Sequence, residues 1–217
     1  IAGRRSTMKH STAELQLNFG RNQMVNRRQL LTRSATGMGA LAAVGLSGCA
    51  SPSIEDYAQD KPTLDLRSYF NGKVDAWGVF TDRQGKVVKR FTVDMACTWQ
   101  GEQGVLDERF VYSDGTQERR IWKLTHLGNG QYQGTAGDVV GIASGQTRGN
   151  AFRWGYTLAL PVDGRVLHVS MDDWMYLMSD RVMLNKARMS KWGVHLGDVT
   201  LDRKSTRLNS SHLVLSR

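Results

Sequence analysis

The segment VVKRFTVDMACTW, residues 87–99, alternates apolar and polar side chains along most of its length. One face carries Val87, Phe91, Val93, Met95, Cys97 and Trp99, and the other carries Arg90, Thr92, Asp94 and Thr98. Successive side chains of a β-strand point to opposite faces, so this period of two predicts a strand that is buried on one side.

The same alternation recurs at residues 150–160, where large apolar side chains occupy every second position. Further runs with strand character are residues 74–81, 105–112, 118–125, 166–177, 182–187 and 194–201. Several connections end in a glycine that suits a tight hairpin turn: residues 82–85, 113–115, 128–130 and 162–164. No convincing amphipathic helix follows Cys49.

Eight or more successive strands with short hairpins predict an all-β fold of one domain, built as a single antiparallel meander. Closing the meander into a β-barrel removes the exposed edges that an open sheet would leave. A two-sheet β-sandwich is the alternative that the pattern leaves open. Residues 128–149 hold seven glycines, which favour a kinked or bulged pair of strands over a phosphate-binding loop.

Residues 24–49, MVNRRQLLTRSATGMGALAAVGLSGC, have the order of a bacterial export signal: a basic start, an apolar stretch and small residues before a cysteine. Arg27 and Arg28 resemble a twin-arginine motif. The sequence before Cys49 resembles a lipobox, formed by Leu46, Ser47 and Gly48, and predicts cleavage and lipidation at this cysteine. The apolar stretch is shorter than the ~20 residues of a membrane-spanning helix.

Five segments are therefore predicted. They are upstream translation (residues 1–23), the export signal (24–48), the lipidated cysteine with its tether (49–65), the β-barrel domain (66–202) and an appended, non-native tail (203–217). No aspartate follows Cys49 directly, and in lipoproteins of this kind the pair Ala50 and Ser51 implies passage to the outer membrane. The predicted location is the periplasmic face of a membrane in the bacterial cell envelope, through the lipid anchor.

The formal net charge of +9 at first suggests an anionic partner. The charge is concentrated at the two ends, because residues 1–33 carry +6 and residues 203–217 carry +4. Residues 34–202 carry −1, so the predicted domain lacks the basic excess of a nucleic-acid-binding protein. Nucleic acid is therefore not expected as a partner.

Patterns for catalysis and metal binding are weak in this sequence. There is no Gly-x-Ser-x-Gly elbow, and Cys97 falls on the apolar face of its strand, where a cysteine serves as packing. His126, His168 and His195 lie in separate strand-like segments without paired spacing. We therefore predict no catalytic residue, no metal site and no cofactor, and that the protein is not an enzyme.

Asp173 is a carboxylate within an otherwise apolar row of its predicted strand. The other members of that row are Val169, Met171, Met175 and Leu177. An isolated carboxylate is costly to bury, so Asp173 is expected inside the barrel with a cationic partner, Arg153 being the first candidate. Together with Asp172 and Trp174 these two residues form the predicted polar site, for which a structural ion pair is favoured over a ligand contact.

Residues 69–202 resemble a bacterial lipoprotein family defined as a domain of unknown function. The matching stretches are YFNG at 69–72, AWGVFTDR at 76–83, DERF at 107–110, DG at 114–115, RRIW at 119–122, DVVG at 138–141, GNA at 149–151, DDWM at 172–175 and KWG at 191–193. The family is similar in outline to lipocalin-like barrels, and the resemblance implies no established activity.

The function expected from these features is that of a lipid-anchored periplasmic lipoprotein that binds or carries an apolar or amphipathic small molecule. The alternative is a structural or interaction lipoprotein of the envelope with a filled barrel and no ligand, and an enzyme of unknown class comes third. An internal cavity separates the first two, because small barrels either fill with side chains or hold one ligand.

Overall fold

The computed structural model of the chain describes residues 51–162 and 164–206. The predicted lipidation residue Cys49 lies outside this part of the chain, as do the predicted export-signal residues Arg27, Arg28, Leu46, Ser47 and Gly48. The predicted upstream segment, residues 1–23, and residues 207–217 of the predicted tail lie outside it as well.

Two single helical turns precede ten β-strands in the described residues. The helical turns are a 3₁₀ turn at Ile54–Tyr57 and helix α1 at Leu66–Tyr69. The strands are β1 (Gly72–Asp82), β2 (Val87–Gln100), β3 (Gln103–Tyr112), β4 (Gln117–Gly128), β5 (Gln131–Thr135), β6 (Ala143–Arg148), β7 (Ala151–Val162), β8 (Arg165–Leu177), β9 (Val182–Lys191) and β10 (Val194–Ser205).

The ten strands form one closed antiparallel barrel. Each strand pairs with the next along the chain, and β1 also pairs with β10, with Val74 opposite Ser205 and Asp82 opposite Gly197. Because every strand has a neighbour on both sides, the barrel has no open sheet edge. The predicted all-β meander closed as a barrel is confirmed, and the two-sheet sandwich is excluded.

Strand β2 follows the alternation of residues 87–99 along most of its length. Four of its side chains are at most 5 % exposed inside the barrel: Phe91, Val93, Met95 and Cys97. Val87, which the pattern places on the same face, is instead 50 % exposed. The pairing of β2 with β1 shifts register between Phe80 and Thr81, so the alternation is broken before it reaches Val87.

The glycine-rich residues 128–149 contain the short strands β5 and β6, which confirms the predicted pair of strands. Gly145 of β6 lies against the backbone carbonyl of Arg153 and the ring of Trp154, so a Cβ at this position would collide with both. The close approach of two strands therefore requires glycine here.

Helix α1 covers the end of the barrel at which β1 begins. Asp65 caps the helix by accepting hydrogen bonds from backbone N–H groups of its first turn. Leu66 and Phe70 are 1 % and 3 % exposed and belong to the core. The indole N–H of Trp99 donates to the carbonyl oxygen of Phe70 at 2.8 Å, which holds the helix against the strands. This end of the barrel is closed.

The described part of the predicted tether packs on the outside of the barrel. The Tyr57 ring lies 5.6 Å from the Trp174 ring and 5.3 Å from the Tyr176 ring. Glu55 forms an ion pair with Arg148 at 3.0 Å. The predicted start of the domain at residue 66 is therefore corrected, because residues 51–65 pack against the strands and extend the folded unit.

Strand β10 ends at Ser205, beyond the predicted domain boundary at Asp202. Arg203 and Ser205 are 8 % and 2 % exposed and face the interior. Arg203 lies opposite Ala76 of β1 and Met183 of β9. The prediction that the tail begins at residue 203 is thus wrong. Residues 203–205 are polar, but they continue strand β10, and the apolar residues around them come from β1 and β9.

Candidate functional site

The barrel interior contains a cavity of about 110 Å³, several times the roughly 10–15 Å³ that one water molecule requires. Its wall is mostly apolar, with large rings from Phe91, Phe110, Trp122, Phe152 and Trp154. Side chains with charged or amide groups also line it, and we call them the interior polar cluster: Glu108, Arg120, Asp173, Asn185 and Arg203. An apolar wall with a few convergent polar groups is typical of a small-molecule site.

Each member of the interior polar cluster occupies an inward-facing position of its strand. Glu108 lies on β3 and Arg120 on β4. Asp173, Asn185 and Arg203 lie on β8, β9 and β10, which are consecutive neighbours around the barrel. Because inward positions alternate along each strand, closure directs side chains from five strands toward one interior.

Asn185 joins Asp173 to Arg203 through its side-chain amide. Its Nδ2 donates to the carboxyl Oδ1 of Asp173 and to the carbonyl oxygen of Trp174, the latter at 2.9 Å. Its Oδ1 accepts a hydrogen bond from Nη1 of Arg203 at 2.7 Å. The Nε of Arg203 is buried and has no hydrogen-bond partner among the described residues.

Arg120, the second cation of the cluster, is paired with a carboxylate. Its Nε and Nη2 both donate to Asp138, with Nη2 lying 2.6 Å from Oδ2. Its Nη1 lies 3.9 Å from Oε2 of Glu108, and its guanidinium carbon lies 5.3 Å from the centre of the Phe110 ring. A bidentate arginine–carboxylate pair is among the strongest polar contacts in proteins, so Arg120 is held in place.

Burial raises the pKa of Glu108 and of Asp173 above their ordinary values. The nearby arginines oppose this shift, since positive charge favours the carboxylate form, but the loss of solvation is the larger effect. Both carboxyl groups are thereby shifted toward the neutral form, in which each can donate a hydrogen bond as well as accept one.

Of the predicted site residues, the structure places only Asp173 inside the barrel, with 5 % of the residue exposed. Arg153 and Asp172 lie on the outer surface, where Nε of Arg153 donates to Oδ1 of Asp172 at 2.7 Å. The choice of Arg153 as the partner of Asp173 is therefore corrected. The residue opposite Asp173 on β7 is Trp154, so Arg153, the next residue back, points to the other side of the sheet.

Trp174 also lies on the outer face, and the interior role suggested for it is corrected. It is 8 % exposed because the N-terminal segment covers it through Tyr57. The guanidinium carbon of Arg153 lies 5.0 Å from the centre of the Trp174 ring. Trp174 therefore anchors residues 51–65 to the barrel wall and takes no part in the cavity.

Four members of the interior polar cluster were missed from the sequence: Glu108, Arg120, Asn185 and Arg203. The signal that marks Asp173, a polar residue in an apolar row, was available for three of them. Glu108 stands between Leu106 and Phe110, and Asn185 stands between Met183 and Ala187. Arg120 precedes Trp122 by two positions in the same way. Arg203 had no such signal, because no apolar residue follows it in the inward row of β10 and it lies in the predicted tail.

Other side chains that could act in catalysis or metal binding are instead buried or in contact with a carboxylate. Burial raises the pKa of the Cys97 thiol to about 12, which keeps it protonated and unreactive. His126 contacts Glu102, and His195 contacts Asp198 at 3.1 Å. Within residues 51–162 and 164–206, no group of three His, Cys, Asp or Glu side chains could hold a metal ion. In the same part of the chain, no helix has the length and apolar character needed to cross a membrane.

A closed antiparallel meander with an aromatic and polar interior defines the protein as a lipocalin-like β-barrel. The family profile described as "Protein of unknown function (DUF3833)" matches residues 43–204. The chain belongs to this family, as the resemblance of its sequence motifs predicted. No curated protein sequence matches the chain significantly.

Among solved structures, the chain is similar to the S-type phycobiliprotein lyase CPES from Guillardia theta. The TM-score is 0.51 at 4 % sequence identity, and the similarity covers 73 % of this chain and 99 % of that chain. What the two chains share is the fold. The prediction that the protein is not an enzyme is contradicted by this comparison, because a chain with this fold is by its name a lyase.

Proposed function

We propose that the protein is a lipid-anchored lipoprotein of the bacterial cell envelope that binds an amphipathic small molecule inside its barrel. The observation that carries this proposal is the cavity inside the barrel, with its aromatic wall and the interior polar cluster. Small barrels that hold one ligand combine these two kinds of surface.

A filled structural barrel explains the interior less well. Such a barrel is stabilised by apolar side chains, and a buried polar group without a partner costs it free energy. Here Glu108, Asp173 and Arg203 are at most 8 % exposed, and the Nε of Arg203 has no acceptor among the described residues. A ligand with a polar group would satisfy this donor while its apolar part covers the rings.

The two ends of the barrel differ in a way that suits ligand entry. One end is closed by helix α1 and Phe70. At the other end, strands begin or end with side chains that are only partly buried: Phe80, Leu160, Leu167 and Leu196. Partly buried apolar side chains at a rim give a small molecule an apolar path to the cavity, so we assign the entrance to this end.

Mass spectrometry of small molecules extracted from the purified native protein tests the proposal. Ala187 is 3 % exposed and lines the cavity, so Ala187→Phe should fill it and abolish the co-purified molecule. Ala96 faces outward on β2, and Ala96→Phe is the matched control that should retain the molecule. Circular dichroism verifies that both variants fold. If the wild type carries no small molecule, or if Ala187→Phe carries as much as Ala96→Phe, the structural alternative replaces this proposal.

A further inference from the structure

We propose that Arg203 is an anion-binding residue and that the ligand carries an anionic group, such as a carboxylate or sulfonate, which it places deep in the barrel against this arginine. This inference rests on the proposed function, since it names the chemical class of the molecule that the cavity takes.

Arg203 is a buried cation whose N–H donors are only partly hydrogen-bonded. The residue is 8 % exposed, and its guanidinium lines the cavity. Nη1 donates to the Asn185 amide, while Nε has no acceptor among the described residues. A guanidinium carries five N–H donors in a planar fork that matches two oxygens of one anionic group. The unused part of that fork is available to a ligand in the cavity.

Arg120 provides the contrast within the same cavity. It donates to both oxygens of Asp138, so its charge is compensated by the protein itself. No carboxylate of the described residues forms such a pair with Arg203, whose hydrogen-bonded neighbour is the neutral amide of Asn185. Glu108 and Asp173 interact with Arg203 electrostatically without a direct ion pair, and a buried charge that is not directly paired is unfavourable. A ligand that supplies the counter-charge would remove this penalty.

The buried carboxyl groups of Asp173 and Glu108, which interact electrostatically with Arg203, form no direct ion pair with it. Asn185 stands between Asp173 and Arg203, with its Nδ2 turned to Asp173 and its Oδ1 turned to Arg203. Burial raises the pKa of Asp173 and of Glu108, so neither is a strong competitor for the cation. In the neutral form these carboxyl groups would also repel an incoming anion less than carboxylates would.

The position of Arg203 defines the orientation of the ligand. Its guanidinium carbon lies 5.8 Å from the centre of the ring of Phe70, next to helix α1 at the closed end. The entrance assigned to the opposite end is lined by apolar side chains such as Phe80. The anionic group must therefore enter first, and the apolar part of the molecule remains among the aromatic rings nearer to the entrance.

Two small probes that share one benzene ring test the inference on the full chain by NMR titration, since a cavity of about 110 Å³ is close in size to the ~150 Å³ cavity that binds benzene. Benzenesulfonate is anionic, and benzene lacks only the sulfonate. We expect the wild type to bind the sulfonate at least about tenfold more tightly, in line with the strength of a charge-assisted hydrogen bond in a buried site. Arg203→Met should remove this preference and leave the affinity for the neutral probe within about twofold.

Two further variants test whether the preference for the anionic probe comes from surface charge, from the buried charge or from the planar guanidinium of Arg203. Arg109→Met removes a positive charge whose side chain is 69 % exposed on the outer face, and it should change neither affinity. Arg203→Lys keeps the charge without the planar fork and should keep part of the preference. Circular dichroism shows whether each variant folds; if Arg203→Met does not, the wild-type ratio and Arg203→Lys decide.

The outcomes distinguish this inference from the proposed function. Equal affinities of the wild type for the two probes would overturn the anion-binding role and leave ligand binding intact. A loss of sulfonate binding in Arg109→Met as large as in Arg203→Met would assign the preference to surface charge and overturn it as well. Failure of the wild type to bind either probe counts against both proposals.

Discussion

At the scale of single residues, the adjacent pair Asp172 and Asp173 shows how strongly the barrel wall separates two identical side chains. Asp172 lies on the outer surface with 44 % of its side chain exposed, paired with Arg153. Asp173 is 5 % exposed and hydrogen-bonded to Asn185. The same substitution at the two positions should therefore have very different consequences.

Asp173→Ala is expected to lower the free energy of unfolding by about 2–4 kcal/mol, because it leaves a void and removes a hydrogen-bond partner of Asn185 beside a buried cation. Asp172→Ala removes an exposed ion pair and should cost at most about 1 kcal/mol. Denaturant unfolding of both variants beside the wild type at pH 7 measures the difference. Equal and small effects would contradict the buried hydrogen-bonded position of Asp173.

Glu108 should make the stability of the protein depend on pH. Burial raises its pKa above the ordinary value of 4.5. Between these two pKa values the folded state binds more protons at this site than the unfolded state, so the contribution of Glu108 to stability falls as the pH rises. Glu108→Gln removes the titration, and its stability relative to the wild type should therefore increase from pH 4 to pH 8.

Asp107→Asn is the control of opposite sign for this experiment. The hydrogen bond from Arg119 lowers the pKa of Asp107, so its contribution is present above the ordinary pKa and is lost as the pH falls. The stability of Asp107→Asn relative to the wild type should therefore decrease as the pH rises through the acid range. Chemical unfolding at a series of pH values gives both slopes, and a flat difference for Glu108→Gln would show that Glu108 titrates normally.

At the scale of single elements, β10 is the strand that closes the barrel and supplies Arg203. Its last residues pair with β1, with Ser205 opposite Val74 and Arg203 opposite Ala76. Tyr69 of helix α1 also donates a hydrogen bond from its hydroxyl group to the carbonyl oxygen of Arg203 at 2.9 Å. The end of β10 thus contacts both β1, with which it closes the sheet, and helix α1, which covers the closed end of the barrel.

A chain ended after Asp202 should be less stable than a chain ended after Thr206. The shorter chain loses the inward side chains of Arg203 and Ser205, the pairing of these residues with β1 and the acceptor of the Tyr69 hydroxyl. A loss of a few kcal/mol corresponds to a fall of several degrees in melting temperature for a domain of this size. Thermal unfolding of the two chains measures it, and equal melting temperatures would mean that β10 closes the barrel without these residues.

At the scale of the whole molecule, the proposed lipid anchor and the barrel are close neighbours along the chain. Only Ala50 separates Cys49 from the described residues, and two residues span at most ~7 Å. Residues 51–65 then pack on the barrel wall, through Tyr57 against Trp174 and through the backbone N–H of Leu64, which donates to the carbonyl oxygen of Gly149 at 2.8 Å. A lipid at Cys49 would therefore hold this wall near the bilayer.

Metabolic labelling with a fatty-acid probe tests the anchor. We expect the wild type to be labelled and to sediment with membranes, and we expect Cys49→Ala to be unlabelled and to be released. Cys97→Ala, which removes the buried cysteine of β2, is the matched control and should be labelled like the wild type. Labelling that persists in Cys49→Ala excludes this cysteine as the lipidation site.

The sequence by itself determined the local structure. A period of two in residues 87–99 and 150–160 predicted strands whose inner faces are correct except at Val87, and the same period placed Asp173 on the inward face of β8. Glycines at the turns and in residues 128–149 predicted the hairpins and the extra strand pair. These features depend on the alternation of side chains along one strand, which neighbouring residues alone decide.

Only the tertiary structure decided which of these faces meet. Arg203 and Asp173 are connected through Asn185 because β8, β9 and β10 are neighbours in the closed sheet, and Arg120 reaches the same cavity from β4 across the barrel. The prediction of Arg153 as the partner of Asp173 was wrong for the same reason, since a place on the adjacent strand β7 did not put Arg153 on the inner face. Alternation tells which side of a strand a residue occupies, whereas the register of pairing and the closure of the sheet decide what stands opposite it.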